Sequence, residues 1–331
     1  MNGQSDIKQN ELDKAVNIIG RIVEYYRQRI VGQEELCQSL LLSLMVNGHI
    51  LLESVPGLAK TTAAKVITNA VSGDFSRIQC TPDLLPSDII GGQIFNYSTS
   101  SFETKLGPVF ANFVLLDEIN RSSPKTQSAM LEAMQERQTT IGGFIYKLPR
   151  VFIVIATQNP IEQEGTYPLA EAQADRFTLK VLLNYPSKEE EVEILNRLER
   201  NVFDNNKAIL TLVDVVFLQY LTGKVHIDNS IKKYITLIVE ATREPEKFID
   251  EEYAQYITMG ASTRASIAFM ECGKANALMH GRGYVTPDDI KEIATRVLRH
   301  RIALSFAASA NNVRVEDIIN EIMMKVPAPW N

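Results

Sequence analysis

A strand–turn–helix signature at residues 49–62 (HILLESVPGLAKTT) narrows the folds open to this chain. Its apolar start predicts a buried strand, a turn with Pro56 and Gly57 follows, and a helix opens at Lys60 and Thr61. This is the layout of a phosphate-binding P-loop, in which backbone N–H groups and the positive end of the helix face the phosphates. Lys60 would reach the terminal phosphates, and the Thr61 hydroxyl would ligate magnesium.

The stretch departs from the strict pattern Gly-x-x-x-x-Gly-Lys-Ser/Thr at both glycines. Ser54 occupies the first glycine position and Ala59 the second, although Gly57 remains inside the turn. On these residues alone, an ordinary strand–turn–helix with a surface lysine before a threonine stays possible, because such a motif needs its structural context.

Bulk properties predict a two-domain globular protein of 331 residues. The net charge of −6 provides no basic footprint for nucleic acid. Three widely spaced cysteines suit a reducing compartment, the polar N-terminus has no secretory pattern, and no stretch is apolar enough for a membrane span. We therefore expect a cytoplasmic protein that neither inserts into a membrane nor binds nucleic acid.

Short apolar strands that alternate with helices predict an α/β domain with a parallel sheet covered on both faces. Strands are predicted at 50–52, 75–79, 113–116, 151–156 and 177–182, and β-hairpins at 88–108 and 139–148. After Pro186 only helices are predicted, near 187–200, 211–222, 229–243, 263–280, 286–301 and 315–325. The expected division is an N-terminal helix over 1–30, an α/β nucleotide-binding domain over 31–186, a linking helix over 187–205 and a helical lid over 206–331.

Two polar strand ends carry candidate chemistry. Asp117 and Glu118 end an apolar strand, so their carboxylates would point into the crevice where α/β sheets bind ligands. Asp117 could hold magnesium and Glu118 could polarise an attacking water. Asn159 ends another buried strand and could orient that water, although Asn-Pro is also a common turn dipeptide. A solvated acidic strand end is the simpler interpretation of Asp117-Glu118, but the upstream P-loop pattern favours the functional one.

These motifs, in this order, resemble the MoxR family of AAA+ ATPases. The most specific match is residues 115–132 (LLDEINRSSPKTQSAMLE), and the resemblance extends from about residue 10 to 305. The other matching stretches are 31–34 (VGQE), 55–61 (VPGLAKT), 83–88 (DLLPSD), 156–160 (ATQNP), 167–177 (YPLAEAQADRF), 260–265 (GASTRA) and 284–289 (YVTPDD). The implied fold is a P-loop AAA+ parallel sheet sandwiched by helices, with two β-hairpin inserts, followed by an all-α lid domain.

The resemblance also implies roles for individual residues. Lys60 and Thr61 would be the Walker A pair, Asp117 and Glu118 the Walker B pair, and Asn159 sensor 1. Arg176 would be an arginine finger for the neighbouring subunit's nucleotide, although without the resemblance a pairing with Asp175 or Glu171 would be preferred. Arg264 would be sensor 2, with Thr263 in place of the usual proline. The implied ATP-binding residues are Val31, Gly32, Val55, Pro56, Gly57, Leu58, Ala59, Lys60, Thr61 and Thr62, and the implied magnesium ligands are Thr61 and Asp117.

The implied function is hydrolysis of Mg-ATP in a homo-oligomeric ring, expected to be a hexamer. Its output would be chaperone-like remodelling of a client protein or metal insertion into one, often with a partner that carries a von Willebrand A domain. The two hairpins would line a central pore. Because Ser54 replaces a glycine, a nucleotide-gated scaffold with little turnover is the alternative. A DNA motor is the weakest hypothesis, since the chain is acidic and has no basic stripe.

Overall fold

A computed structural model describes residues 7–54, 60–160, 165–199 and 208–329, without the side chains of Lys60 and Thr61. The chain divides into two compact units. One unit comprises Arg21–Arg176 and Val181–Val216. The other comprises Met1–Gly20, Phe177–Lys180 and Phe217–Asn331.

The chain has a five-stranded sheet with the order β10-β1-β9-β6-β3, and its strands β1, β9, β6 and β3 lie in the first unit. The pairings of β3 with β6, β6 with β9 and β9 with β1 are parallel. Every residue of β6 is buried, so helices cover both faces of the sheet, since successive side chains of a strand point to opposite faces. The strands of the chain are β1 (Ile50–Glu53), β2 (Val71–Ser72), β3 (Phe75–Gln79), β4 (Gly91–Asn96), β5 (Ser101–Leu106), β6 (Phe113–Asp117), β7 (Gln138–Ile141), β8 (Phe144–Lys147), β9 (Ile153–Gln158), β10 (Leu179–Leu182), β11 (Leu210–Thr211), β12 (Ile257–Met259) and β13 (Ala303–Leu304).

The helices lie close to their predicted positions, and several begin at identifiable caps. Ser123 caps α5 by accepting a hydrogen bond from the Thr126 N–H at 3.3 Å, and Ser187 and Glu190 form a capping box at the start of α7. The helices are α1 (Gln9–Arg27), α2 (Glu34–Val46), α3 (Lys60–Ala70), α4 (Pro86–Ile90), α5 (Pro124–Glu136), α6 (Glu171–Ala174), α7 (Lys188–Glu199), α8 (Leu212–Lys224), α9 (Asn229–Arg243), α10 (Glu251–Ala254), α11 (Thr263–Met279), α12 (Pro287–Leu298), α13 (Phe306–Ala310) and α14 (Val315–Lys325). None of these described helices is both long and apolar enough to cross a membrane.

Both predicted hairpins are present as antiparallel pairs, β4 with β5 and β7 with β8. They contact each other, since the Tyr146 hydroxyl donates to the Thr104 hydroxyl at 3.0 Å. The first hairpin exposes an aromatic group in which Phe95 packs edge-on against Tyr97 and Phe102. The inserts therefore present apolar side chains to solvent at the surface of the α/β unit.

The second unit is mostly helical, with α9, α11, α12 and α14 packed together. The expectation that no strands follow Pro186 is wrong. β12 and β13 form a short antiparallel pair, and β11 pairs in parallel with β2 in the first unit. Pairs of two or three residues are too short to show an alternating pattern, so the sequence carried no signal for them.

Two of the predicted strands are displaced by neighbouring contacts. β9 runs two residues further than predicted because it pairs with β1 as far as Gln158. β10 begins at Leu179 rather than at Phe177, and within the second unit the Arg301 guanidinium donates to the carbonyls of Phe177 (2.7 Å) and Thr178 (3.1 Å). These carbonyls are satisfied by a side chain instead of a strand ladder.

All three cysteines are buried free thiols. Burial raises the pKa of Cys37, Cys80 and Cys272 to about 12 in each case. None of them is a reactive thiolate near neutral pH, because reactivity requires the deprotonated form.

His49 is a buried structural residue at the start of the P-loop strand. Its Nδ1 accepts a hydrogen bond from the Val154 N–H at 3.0 Å, so Nε2 carries the proton and donates to the Met134 carbonyl at 3.2 Å. Burial and, to a smaller extent, the nearby Arg137 guanidinium lower the pKa of His49 to about 3. The neutral imidazole therefore joins α5 to β9.

We expect His49→Gln to change how stability depends on pH. The folded-state pKa lies below the unfolded value, so the unfolded chain binds more protons between about pH 6.5 and 3, and the contribution of His49 is lost as the pH falls through this range. The variant should be less stable than the wild type at pH 7, and the difference should shrink by up to about 1.4 kcal/mol per pH unit below pH 6. Urea unfolding at several pH values measures this, and parallel stability curves would contradict the assignment.

Candidate active site at the carboxyl edge of the sheet

The register of the parallel strands brings the candidate polar residues to one edge of the sheet. Leu116 of β6 lies beside Ala156 of β9, and Glu53 of β1 lies beside Gln158. One residue further on, Asp117 meets Thr157, while Gln79 lies on the other side of Asp117. The carboxyl ends of four neighbouring strands therefore form the crevice edge where α/β sheets bind ligands.

The Asp117 carboxylate is buried, and both of its oxygens have protein partners. Oδ1 accepts a hydrogen bond from the Thr157 hydroxyl at 2.8 Å. Oδ2 accepts from the Arg77 guanidinium, at 2.6 Å from Nη2 and 3.2 Å from Nε. The side chain is only 11% exposed, so the half-exposed Arg77 balances a charge that water reaches poorly.

Glu118 has an unusual backbone conformation, with φ 59° and ψ 53°. A left-handed conformation at a residue with a Cβ has an energetic cost, and it persists where neighbouring contacts fix it. Here the Glu118 N–H donates to the Thr157 hydroxyl at 2.9 Å, and Oε2 of the carboxylate accepts from Gln79 (3.2 Å) and from Arg121 (3.0 Å). The Glu118 side chain is 27% exposed, which leaves it accessible to a water molecule.

Asn159 lies one residue beyond β9 and is buried. Its carbonyl accepts a hydrogen bond from the Asn120 side chain at 3.3 Å. The turn after Glu118 and the end of β9 are thus joined, and this bond holds Asn159 at the same edge as Asp117 and Glu118.

The phosphate-binding part of the predicted site is described only at its borders. Val55, Pro56, Gly57, Leu58 and Ala59 lie outside the described residues, and so do the side chains of Lys60 and Thr61. α3 begins at Lys60, as the motif predicts, and Thr62 is exposed in its first turn. Val31 and Gly32 are half-buried in the turn between α1 and α2, where Gly32 has φ 66°.

Ser54 extends β1 rather than opening a strained turn. It is buried, and its N–H donates to the Gln158 carbonyl at 3.2 Å. Its φ is not positive, so the Cβ that distinguishes serine from glycine meets no backbone strain at this position.

The chemistry of the described donors fits magnesium. A single buried carboxylate with hydroxyl neighbours provides hard oxygen ligands, and Mg²⁺ is commonly held by one or two carboxylates together with substrate phosphates and water. Among the described residues no group of three or more His, Cys, Asp or Glu side chains could form a separate metal cage. Asp117 is therefore a suitable ligand for a cation that arrives with a phosphate.

Arg176 follows the short helix α6 and is half-buried. Its Nε is buried, and it has no hydrogen-bond partner within the described residues. Arg264 is exposed in the first turn of α11, where the Ser262 hydroxyl accepts from its N–H at 3.1 Å.

Comparison with known proteins agrees with this geometry. The model of the ATPase family associated with various cellular activities (AAA) matches residues 49–179, and that of the AAA lid domain matches residues 250–322. Chaperone MoxR1 of Mycobacterium tuberculosis is 44% identical over 314 residues, which cover 95% of this chain and 83% of the relative. The chain belongs to the MoxR family of AAA+ ATPases.

Two further relatives extend this comparison over nearly the whole length of the MoxR-family chain. The Bacillus subtilis protein YeaC is 43% identical, with 94% of this chain and 95% of YeaC covered. A crystal structure of a protein from Cytophaga hutchinsonii, described as an ATPase, has a TM-score of 0.88 and 46% identity and covers 96% of this chain and 97% of that one. The P-loop AAA+ sheet sandwiched by helices and the mostly helical lid are thereby confirmed.

Sequence reasoning missed several residues of this MoxR-family site. Arg77, Gln79 and Thr157 contact the two carboxylates, yet each occupies a strand position where a polar residue is ordinary. Alternation along β3 puts Arg77 and Gln79 on one face of the strand, but their carboxylate partners become evident only through the register of β3 with β6.

We expect Thr157→Val to destabilise the protein by about 2 kcal/mol, because the buried Asp117 Oδ1 and the Glu118 N–H would each lose their partner. Thr157→Ser keeps the hydroxyl and is the matched control, which should retain most of that stability. Urea unfolding of both variants measures the difference. Equal stability of the two would show that the hydroxyl does not fix this edge.

Proposed function

We propose that this MoxR-family protein hydrolyses Mg-ATP as a homo-oligomeric ring, most simply a hexamer. The observation that carries the proposal is the paired arrangement of Asp117 and Glu118 around the Thr157 hydroxyl, at the carboxyl edge of a parallel sheet. The same edge includes the end of β1, from which the chain leads to α3 at Lys60. In this proposal metal binding would fall to Asp117, the last residue of β6, and water activation to Glu118, the residue that follows it.

In this mechanism each carboxylate has a separate task. Lys60 and Thr61, at the positive end of α3, would bind the phosphates and the magnesium ion, which neutralises charge developing on the transferred phosphoryl group. Asp117 would be the protein's carboxylate ligand, and Arg77 would leave its Oδ2 as the cation binds. Glu118 would accept a proton from the attacking water, and Asn159 would orient that water.

The site would be completed by another subunit. Arg176 is suited to act on the neighbouring subunit's nucleotide because its Nε has no partner within the described part of its own chain. An arginine finger contributes roughly 10³–10⁵ to the rate, so an isolated subunit would be almost inactive. Arg264 would contact the phosphates from the lid of the same chain, and lid closure would follow nucleotide state.

The output of the ring would be mechanical work on a protein client in the cytoplasm. A relative of this chain is named as a chaperone. The exposed aromatic side chains of the hairpin inserts are suited to line a pore and grip a polypeptide. More specifically, the ring would insert metal into a client, or act with a partner that carries a von Willebrand A domain.

The second candidate function is a nucleotide-gated scaffold that binds ATP with little turnover. It is favoured by the contacts of Glu118, whose carboxylate is held by both Gln79 and Arg121. Ser54, which first suggested the scaffold, argues less strongly for it because its backbone is unstrained.

Glu118→Gln separates the two candidates. The amide keeps the shape of the side chain but cannot accept a proton, so we expect turnover to fall on the order of 10²–10⁴-fold while ATP binding is retained. Phosphate release measures turnover, and a fluorescent ATP analogue measures binding. Unchanged turnover, or an undetectable rate in the wild type with ATP bound, would favour the scaffold.

A further inference from the structure

Gln127 is a buried polar residue on α5, and only 2% of it is exposed. Its amide nitrogen lies within hydrogen-bond distance of three backbone carbonyls: Ile119 (3.2 Å), Ser122 (3.2 Å) and Tyr167 (2.9 Å). The carbonyls of Ile119 and Ser122 belong to the turn that follows Glu118. The carbonyl of Tyr167 belongs to a segment 40 residues after Gln127 in the chain. A single side chain thus joins two separate backbone segments.

The same two segments are also bonded directly. The Tyr167 N–H donates to the Asn120 carbonyl at 2.6 Å. Asn120 itself is buried, and its side-chain nitrogen donates to the Asn159 carbonyl. Together the bonds of Gln127, Asn120 and Tyr167 fix the segment at Tyr167 to the turn that follows Glu118.

The chain runs from Tyr167 to Arg176 through a compact segment. The Ala170 N–H donates to the Gln173 side chain at 3.0 Å, at the start of α6. The Arg176 N–H donates to the Gln173 carbonyl at 3.2 Å, at its end. Only Pro168 and Leu169 separate Tyr167 from this hydrogen-bonded segment, and the proline ring restricts the backbone at Pro168.

A buried amide in this place needs a reason beyond packing. Burial of an amide costs free energy unless it is hydrogen-bonded, and an apolar side chain of similar size would leave the carbonyls that Gln127 bonds without this donor. Gln127 bonds to backbone carbonyls. These bonds therefore fix the backbone positions of the two segments and do not depend on which side chains the segments carry. This is the chemistry of a positioning residue.

We propose that Gln127 positions Arg176 by tying the segment that carries Arg176 to the turn beside Glu118. Through this tie, the state of a subunit's own nucleotide site would control the arginine finger that the subunit offers to its neighbour. The inference rests on the proposed function, in which Arg176 acts in trans. Gln127 does not touch the nucleotide in this account. It acts through the backbone of Tyr167.

The test is complementation between subunits with different defects. Glu118→Gln subunits cannot hydrolyse ATP but can supply Arg176, whereas Arg176→Ala subunits keep their own site but supply no finger. A mixture of the two should regain turnover at interfaces where an intact site meets an intact finger. This mixture is the reference, and a failure to regain turnover would overturn both the trans finger and the present inference.

Gln127→Met is the test variant, and Gln135→Met, an exposed position on the same helix, is the matched control. We expect Gln127→Met alone to lose turnover on the order of 10²-fold, because misplacement of a catalytic group by about 1 Å has an effect of that size. Its ATP affinity should be unchanged, and mixing with Glu118→Gln should restore turnover as in the reference. Gln135→Met should behave as the wild type.

The opposite result is equally clear. If the reference mixture works but Glu118→Gln does not restore Gln127→Met, then Gln127 supports its own site and the positioning role is wrong. That outcome would leave the proposed function intact.

A second pair of variants covers the case in which Gln127→Met does not fold. Tyr167→Pro removes the N–H that bonds Asn120, and Tyr167→Ala keeps that N–H while removing the half-exposed ring. We expect only the proline variant to lose turnover and to be restored by Glu118→Gln. Equal behaviour of the two, with thermal unfolding showing both folded, would also overturn the inference.

Discussion

The Thr157 hydroxyl is the contact on which the candidate site depends. It donates to Asp117 and accepts from the N–H of Glu118, so one side chain orients a carboxylate and fixes a strained backbone at the next residue. This is possible because β6 and β9 are neighbours in parallel register and end at the same level. The arrangement of the sheet thus determines which chemistry the two acidic residues can perform.

Burial sets the strength of these contacts. Hydrogen bonds to charged groups contribute more where water competes poorly, and Asp117 and Thr157 are both buried. Glu118 is more exposed, which suits a group that must meet a water molecule. The two adjacent carboxylates at the end of β6 therefore have different environments, and in the proposed mechanism this difference separates metal binding from proton transfer.

Much of the fold could be predicted from the sequence, since the central strands are long apolar runs and the helices carry clear caps. The β11 and β12–β13 pairings could not, because they are too short to have a period. In the site, Asp117 and Glu118 could be found because two acidic residues end an apolar strand. Gln127 could not, since a polar residue within an amphipathic helix looks like any other until its three carbonyl partners are known. The roles of Lys60, Thr61, Arg176 and Arg264 remain predictions.

The central claim is a catalytic site shared between subunits, and the most direct measurement is phosphate release from Mg-ATP per subunit as a function of protein concentration. Sedimentation under the same conditions would locate the concentration at which the protein assembles. We expect a rate per subunit that rises steeply through assembly and then levels off, because each site needs an arginine from its neighbour. A rate per subunit that stays constant while the protein passes from monomer to oligomer would contradict it.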